Sequence, residues 1–96
     1  MHAAALRLEL RIPGVRSLKA KRGVLKAVSS MLSTTFPVAV SEVDHQDQWQ
    51  RATLGVALVA PQASQLERLI HAIQRTMLEH QDVELIEMGV SYLEER

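Results

Sequence analysis

The sequence predicts one small α+β domain with the element order β-α-β-β-α-β, and three observations predict it. Stretches of strict apolar/polar alternation stand at the start, middle and end of the chain. Two segments of helical periodicity separate them. Proline and glycine punctuate the junctions at Pro13-Gly14, Pro37 and Pro61. Alternation with a period of two is the signature of a half-buried strand, and apolar residues recurring every three or four positions mark a helix with one buried face.

The first strand is expected over Ala3 to Ile12, where Leu6, Leu8, Leu10 and Ile12 face one way and Arg7, Glu9 and Arg11 the other. Pro13-Gly14 ends it. Ser17 stands where a helix N-cap belongs, and from Leu18 to about Ser33 the residues Leu25, Val28 and Leu32 share one arc with Lys19, Arg22 and Lys26 opposite. Phe36 to Val43 reads as a second strand, its Pro37 suited to an edge. A phase change between Val40 and Val43 points to a bulge near Ser41 or Glu42. Asp44 to Gln50 is a polar loop, and Ala52 to Ala60 a third strand closed by Pro61. Ser64-Gln65-Leu66-Glu67 has the form of a capping box, opening a helix with Leu66, Ile70, Ile73 and Met77 at helical spacing. Val83 to Leu93 is the last strand.

Two β-α-β halves joined by a hairpin give the ferredoxin-like sandwich: a four-stranded antiparallel sheet, order 4-1-3-2, with both helices on one face. This topology brings Ser17–Arg22 and Asp44–Arg51 to the same end of the sheet. The other sheet face is expected to expose small residues of strands 2 and 3: Ala39, Thr53, Gly55, Ala57 and Val59. With that face and an unprotected edge at strand 2, self-association as a homodimer is expected.

Composition narrows the function. With 96 residues and 47% apolar content, the chain suits a single core. No cysteine is present, which removes thiol catalysis and thiolate metal sites and fits a reducing, cytoplasmic setting. The start of the chain does not read as a signal peptide, and no apolar run is long enough for a membrane span. The net charge is zero, yet residues 1–41 hold seven basic residues and one acid, while residues 42–96 hold four basic residues and ten acids. Mutual pairing of the halves is the simpler reading, and a polyanion partner the sharper one.

The chemistry-bearing residues gather in two segments. Arg16, Ser17, Lys19, Lys21 and Arg22 put cations at a helix start, against the partial positive charge of the helix dipole. Lys21 falls within the apolar arc, so it either snorkels or meets a partner. The segment is then an anion site, or else its cations are neutralised by Glu42, Asp44 or Asp47. The second segment carries Asp44, His45, Asp47, Trp49 and Arg51. His45 beside Asp44 and Asp47 offers a carboxylate-oriented imidazole, with too few ligands nearby for a metal site, and no cofactor is expected. Trp49 is a candidate stacking platform or partner anchor; folding back over the core is the simpler expectation.

No P-loop, dinucleotide or nucleophile-elbow motif is present. Pro13-Gly14-Val15-Arg16 faintly resembles the acylphosphatase loop, but that chemistry relies on an Arg and an Asn, and the chain has no Asn. The aromatics that stack bases in RNA-recognition sheets are missing from strands 1 and 3. No catalytic residue is therefore assigned, and a non-enzymatic role is expected.

The segment S-L-K-A-K-R-G-V-L-K, followed by V-S-E-V-D-H-Q-D-Q-W-Q-R-A-T-L-G-V-A, resembles the YlxP-like bacterial family, a domain of unknown function. The resemblance runs from about Leu6 to Leu93. Ala20 replaces an acid usual between the two lysines, which makes this helix start more cationic. The resemblance implies a ferredoxin-like fold and, from the translation-linked genes that neighbour the family's, a ribosome- or RNA-linked accessory role; it supplies no catalytic residues. The alternative reading is a homodimeric regulatory domain that binds a small anionic ligand.

Overall fold

The computed structural model describes residues 1–93. The elements follow in the order β1 (His2–Arg11), α1 (Leu18–Thr35), β2 (Val38–Asp44), β3 (Arg51–Ala60), α2 (Ala63–Leu78) and β4 (Glu84–Leu93). All strand pairs are antiparallel and the sheet order is β2-β3-β1-β4, the expected order read from its other edge.

Alternation along β1 and β3 decides what lies between the layers. Leu6, Leu8 and Leu10 of β1 pair in register with Val56, Leu54 and Ala52 of β3. They form the buried face with Leu25, Val28 and Leu32 of α1 and Leu66, Ile70, Ile73 and Met77 of α2. The core is aliphatic; Phe36 packs at its margin. Residues of the opposite parity form the open face, in rows that run across the strands. One row is Ala39–Ala57–Ala5–Ser91, and the next toward the loop end is Ser41–Gly55–Arg7–Gly89.

Two registers slip. In β2 the pairing jumps between Glu42 and Asp44, so Val43 is the bulged residue. In β4 it jumps opposite Glu9/Leu10 and leaves Ile86 extra. The β2 bulge falls one residue later than Ser41–Glu42, and that shift sets which way Glu42 points.

Two local expectations are corrected. Helix α2 begins at Ala63, and its N-cap is Gln62 with no side-chain capping bond, so Ser64 lies inside the first turn and the capping box does not form. Only Pro61 and Gln62 separate β3 from α2, which starts the helix early. Glu67 is drawn to β4, where its Oε1 accepts the Tyr92 hydroxyl at 2.6 Å. That bond raises the Tyr92 phenol above its ordinary value of 10.0. Thr53 was expected on the exposed patch but is buried, because Glu9 lies over it and its hydroxyl donates to Glu9 Oε2 at 2.8 Å.

Candidate functional site

The two segments do meet at one end of the sheet. The Ile12 N–H donates to the Gln50 carbonyl at 2.9 Å, and the Gln50 side-chain amide donates to the Val15 carbonyl at 3.3 Å. The loop after β2 is thereby tied to the turn before α1. That turn needs Gly14, whose φ of +83° is in the left-handed region. Ser17 caps α1 as expected: its Oγ accepts the Ala20 N–H at 3.0 Å.

Lys21 occupies the apolar arc and is 1% exposed. Its Nζ lies 2.9 Å from Glu42 Oε2 and donates to the His45 carbonyl. Of the partners open to it in the sequence, Glu42 is the one found, since the bulge at Val43 leaves Glu42 on the helix side and returns Asp44 to the open face. Lys21 is thus a bolt between α1 and the loop, and it does not reach solvent as a contact. The same carbonyl accepts the Gln48 N–H at 3.1 Å. To turn that carbonyl inward, His45 takes φ of +61°, uncommon for a side-chain-bearing residue.

Beyond the bulge lies a second, polar cluster centred on Glu9. Its carboxylate accepts from Thr53 Oγ1 and from Arg7 Nε at 2.9 Å, with His45 Nε2 at 3.7 Å and an Arg51 terminal nitrogen at 4.0 Å. Arg7 also reaches Asp44 Oδ2 at 3.2 Å, while Asp44 Oδ1 accepts the His45 N–H at 2.8 Å. That backbone bond, then the His45 ring and Arg7, hold the Asp44 carboxyl below its ordinary 3.8. Glu9 was not among the residues singled out from the sequence. Its place on the solvent side of β1 was readable there, but its role as hub depends on the β1–β3 register.

Asp47 and Trp49 stand apart from both clusters. Asp47 is exposed, on the rim of a shallow concavity formed with Asp44, His45, Gln46 and Gln48. Trp49 is 52% exposed rather than folded over the core, and the neighbouring Gln50, exposed as well, is the residue that bonds to the Val15 carbonyl. Among the described residues no group of three or more His, Asp or Glu side chains is placed to hold a metal ion. No helix there is long and apolar enough to cross a membrane.

The cations of α1 divide sharply. Arg16, Lys19, Arg22 and Lys26 are exposed, and none has an ion-pair or hydrogen-bond partner among the described residues. The arginines of the sheet, Arg7, Arg11 and Arg51, all lie within ion-pair distance of acids. Helix α1 contains no acid at all.

Comparison with known proteins places the chain in a family. The model of a family described as "Protein of unknown function (DUF503)" matches residues 3–90, and the chain belongs to that family. It is also similar to the uncharacterized protein YlxP of Bacillus subtilis (strain 168), 39% identical over 57 residues. That match covers 59% of this chain and 62% of the relative, so the chain spans less than two thirds of the curated relative it matches.

Proposed function

We propose that this member of the family is a non-enzymatic, RNA-contacting accessory protein whose binding surface is the solvent flank of α1 with the adjoining loop. The observation that carries the reading is the unpartnered state of Arg16, just before α1, and of Lys19, Arg22 and Lys26 along that helix, which is free of acids. An isolated row of cations repels itself, and phosphates relieve that cost while releasing their condensed counterions. The acids that balance the chain sit elsewhere: Glu42 against Lys21, and Glu9, Asp44 and Glu84 on the open sheet face. Trp49, on the same rim, offers an exposed ring on which an unpaired base can stack.

Lys21 is excluded from the contact set, and this makes the reading testable. Anisotropy with a labelled single-stranded RNA at several salt concentrations is expected to show binding that falls with salt. Each of Lys19→Ala, Arg22→Ala and Lys26→Ala should reduce the slope of log K against log salt by about 0.7. Lys21→Met, measured where it is folded, should leave the slope unchanged. Trp49→Ala should weaken single-stranded binding by about 1–3 kcal/mol and leave duplex binding alone. Absence of binding at low salt overturns the proposal. Binding by short anions as strong as by long RNA favours the small-ligand alternative instead.

A further inference from the structure

The open face of the sheet has a pattern that the α1 reading does not use. Take the row Ala39–Ala57–Ala5–Ser91 as a line across the strands. One step to one side, large apolar side chains stand out: Val59 on β3, 59% exposed, and Leu93 on β4, 62% exposed. One step to the other side, the same strands carry Gly55 and Gly89. Large residues and glycines are thus mirrored about a row of small ones. The Val43 side chain lies over Gly55, its Cγ1 3.0 Å from where a Cβ would stand, and two shallow troughs flank it, of about 290 Å³ beside Ala39 and Ala57 and about 480 Å³ toward Arg7 and Gly89.

We propose that a second copy of this chain packs on this face, with a two-fold axis along the Ala57–Ala5 row. Such an axis reverses the strand direction and keeps the strand order, so β3 lies over β3 and β4 over β4. Val59 of each copy then packs against Val43 over Gly55 of the other, and Leu93 meets Gly89. A two-fold contact must be self-complementary, and here Leu93 faces the gap at Gly89 while Val59 faces the troughs that flank Val43.

Charge supports a copy over another occupant. The charges nearest the axis are already satisfied within the face, Arg7 by Glu9 and Asp44. A second copy therefore brings no unpaired like charge next to the axis; Glu87, two rows away, is the exposed acid of this face without a partner among the described residues. The α1 flank, with its unpartnered cations, repels its own copy. Size sets the strength: three strands of about 34 Å and β2 of about 24 Å, about 4.8 Å apart, give a face of roughly 600 Å². The axis lies about 5 Å from the middle of the long strands, so about 24 Å of each overlaps and the pair buries roughly 800–900 Å² in all, below the ~1,200–2,000 Å² of stable interfaces and in the range of weak, transient ones. The dimer is accordingly expected to depend on concentration, with both basic helix flanks left outward.

Sedimentation equilibrium tests this on the intact chain. The parent should pass from 10.7 kDa to twice that mass as concentration rises through the micromolar range. Val59→Asp should weaken the dimer at least tenfold. So should Gly89→Phe, whose Cβ meets only the Arg7 Cβ at an ordinary 3.7 Å and whose ring projects from the open face. Both should keep the parent's circular dichroism spectrum, and Arg22→Glu on α1 should leave the dimer intact. The chain has no cysteine, so Ala57→Cys alone should cross-link to itself with a short bis-maleimide. A parent that stays monomeric at high micromolar concentration overturns the proposal. A dimer that survives both Val59→Asp and Gly89→Phe also overturns it, and places the contact at the β2 edge.

Discussion

Replacing Lys21 by methionine keeps the length and volume of the side chain and removes its charge. In the intact fold the ammonium is 1% exposed and 2.9 Å from Glu42 Oε2, whose own side chain is 24% exposed. Removing one member of a fully buried pair costs about 3–5 kcal/mol, because the other charge is left uncompensated. Here the stranded Glu42 regains part of its hydration, and the His45 carbonyl keeps its bond from the Gln48 N–H. The expected loss is therefore lower, about 2–3 kcal/mol. At about 4–8 °C per kcal/mol for a domain of this size, the melting temperature should fall by roughly 10–20 °C. The double variant Lys21→Met with Glu42→Leu removes both charges, and apolar replacement of a buried pair is often neutral or stabilising. It should return to within about 1 kcal/mol of the parent. Urea unfolding followed by circular dichroism measures all three. A Lys21→Met variant as stable as the parent, or a double variant no better than the single one, would refute the description of Lys21 as a structural bolt.

Two further outcomes follow from the same end of the sheet. Asp44 has its folded pKa depressed, so its stabilising contribution is present above its unfolded pKa and is lost as pH falls through the folded one. Asp44→Asn should therefore show a shallower acid loss in urea midpoints than the parent, and an unchanged slope removes Asp44 from the acid response. Gly14→Ala places a side chain at φ of +83° with open space around it, so the cost is conformational alone, about 1–2 kcal/mol in a thermal melt.

Most of the architecture was legible because each strand of the sheet's centre alternates without interruption and the helices are punctuated clearly. The site was legible only in part, and the reason is a single residue of register. Side chains along a strand alternate, so moving a bulge by one position sends every later residue to the other face. With the bulge at Ser41 or Glu42, Glu42 could not be assigned to the helix side; with it at Val43, Glu42 meets Lys21 and Asp44 meets Arg7. The clash of Lys21 with the apolar arc was visible, and its partner was narrowed to Glu42, Asp44 or Asp47 without a choice among them. Trp49 and the capping box failed differently. Trp49 stays exposed while its neighbour Gln50 bonds to the Val15 carbonyl, and Glu67 leaves its local cap for a tertiary bond to Tyr92.

The charge count along the chain also misdirects unless it is divided by layer. The simpler expectation was that the basic first half and the acidic second half pair with one another. They do so in two places: on the strands, where Arg7 and Arg11 reach Asp44 and Glu84, and at Lys21, on the buried side of α1, which reaches Glu42. The outward cations of α1 are screened from those acids by the thickness of the core, since alternation sends Asp44 and Glu84 to the other side of the sheet. Zero net charge thus coexists with a helix flank of unbalanced cations and a sheet face whose inner charges are already paired. The first suits a polyanion and the second suits a copy of itself, so the two proposed surfaces must be separable. Val59→Asp should abolish self-association while leaving the salt dependence of RNA binding per protomer unchanged. Arg22→Ala should do the reverse. If either variant moves both measurements together, the surfaces are not independent, and the division of labour between the helix layer and the open sheet face is wrong.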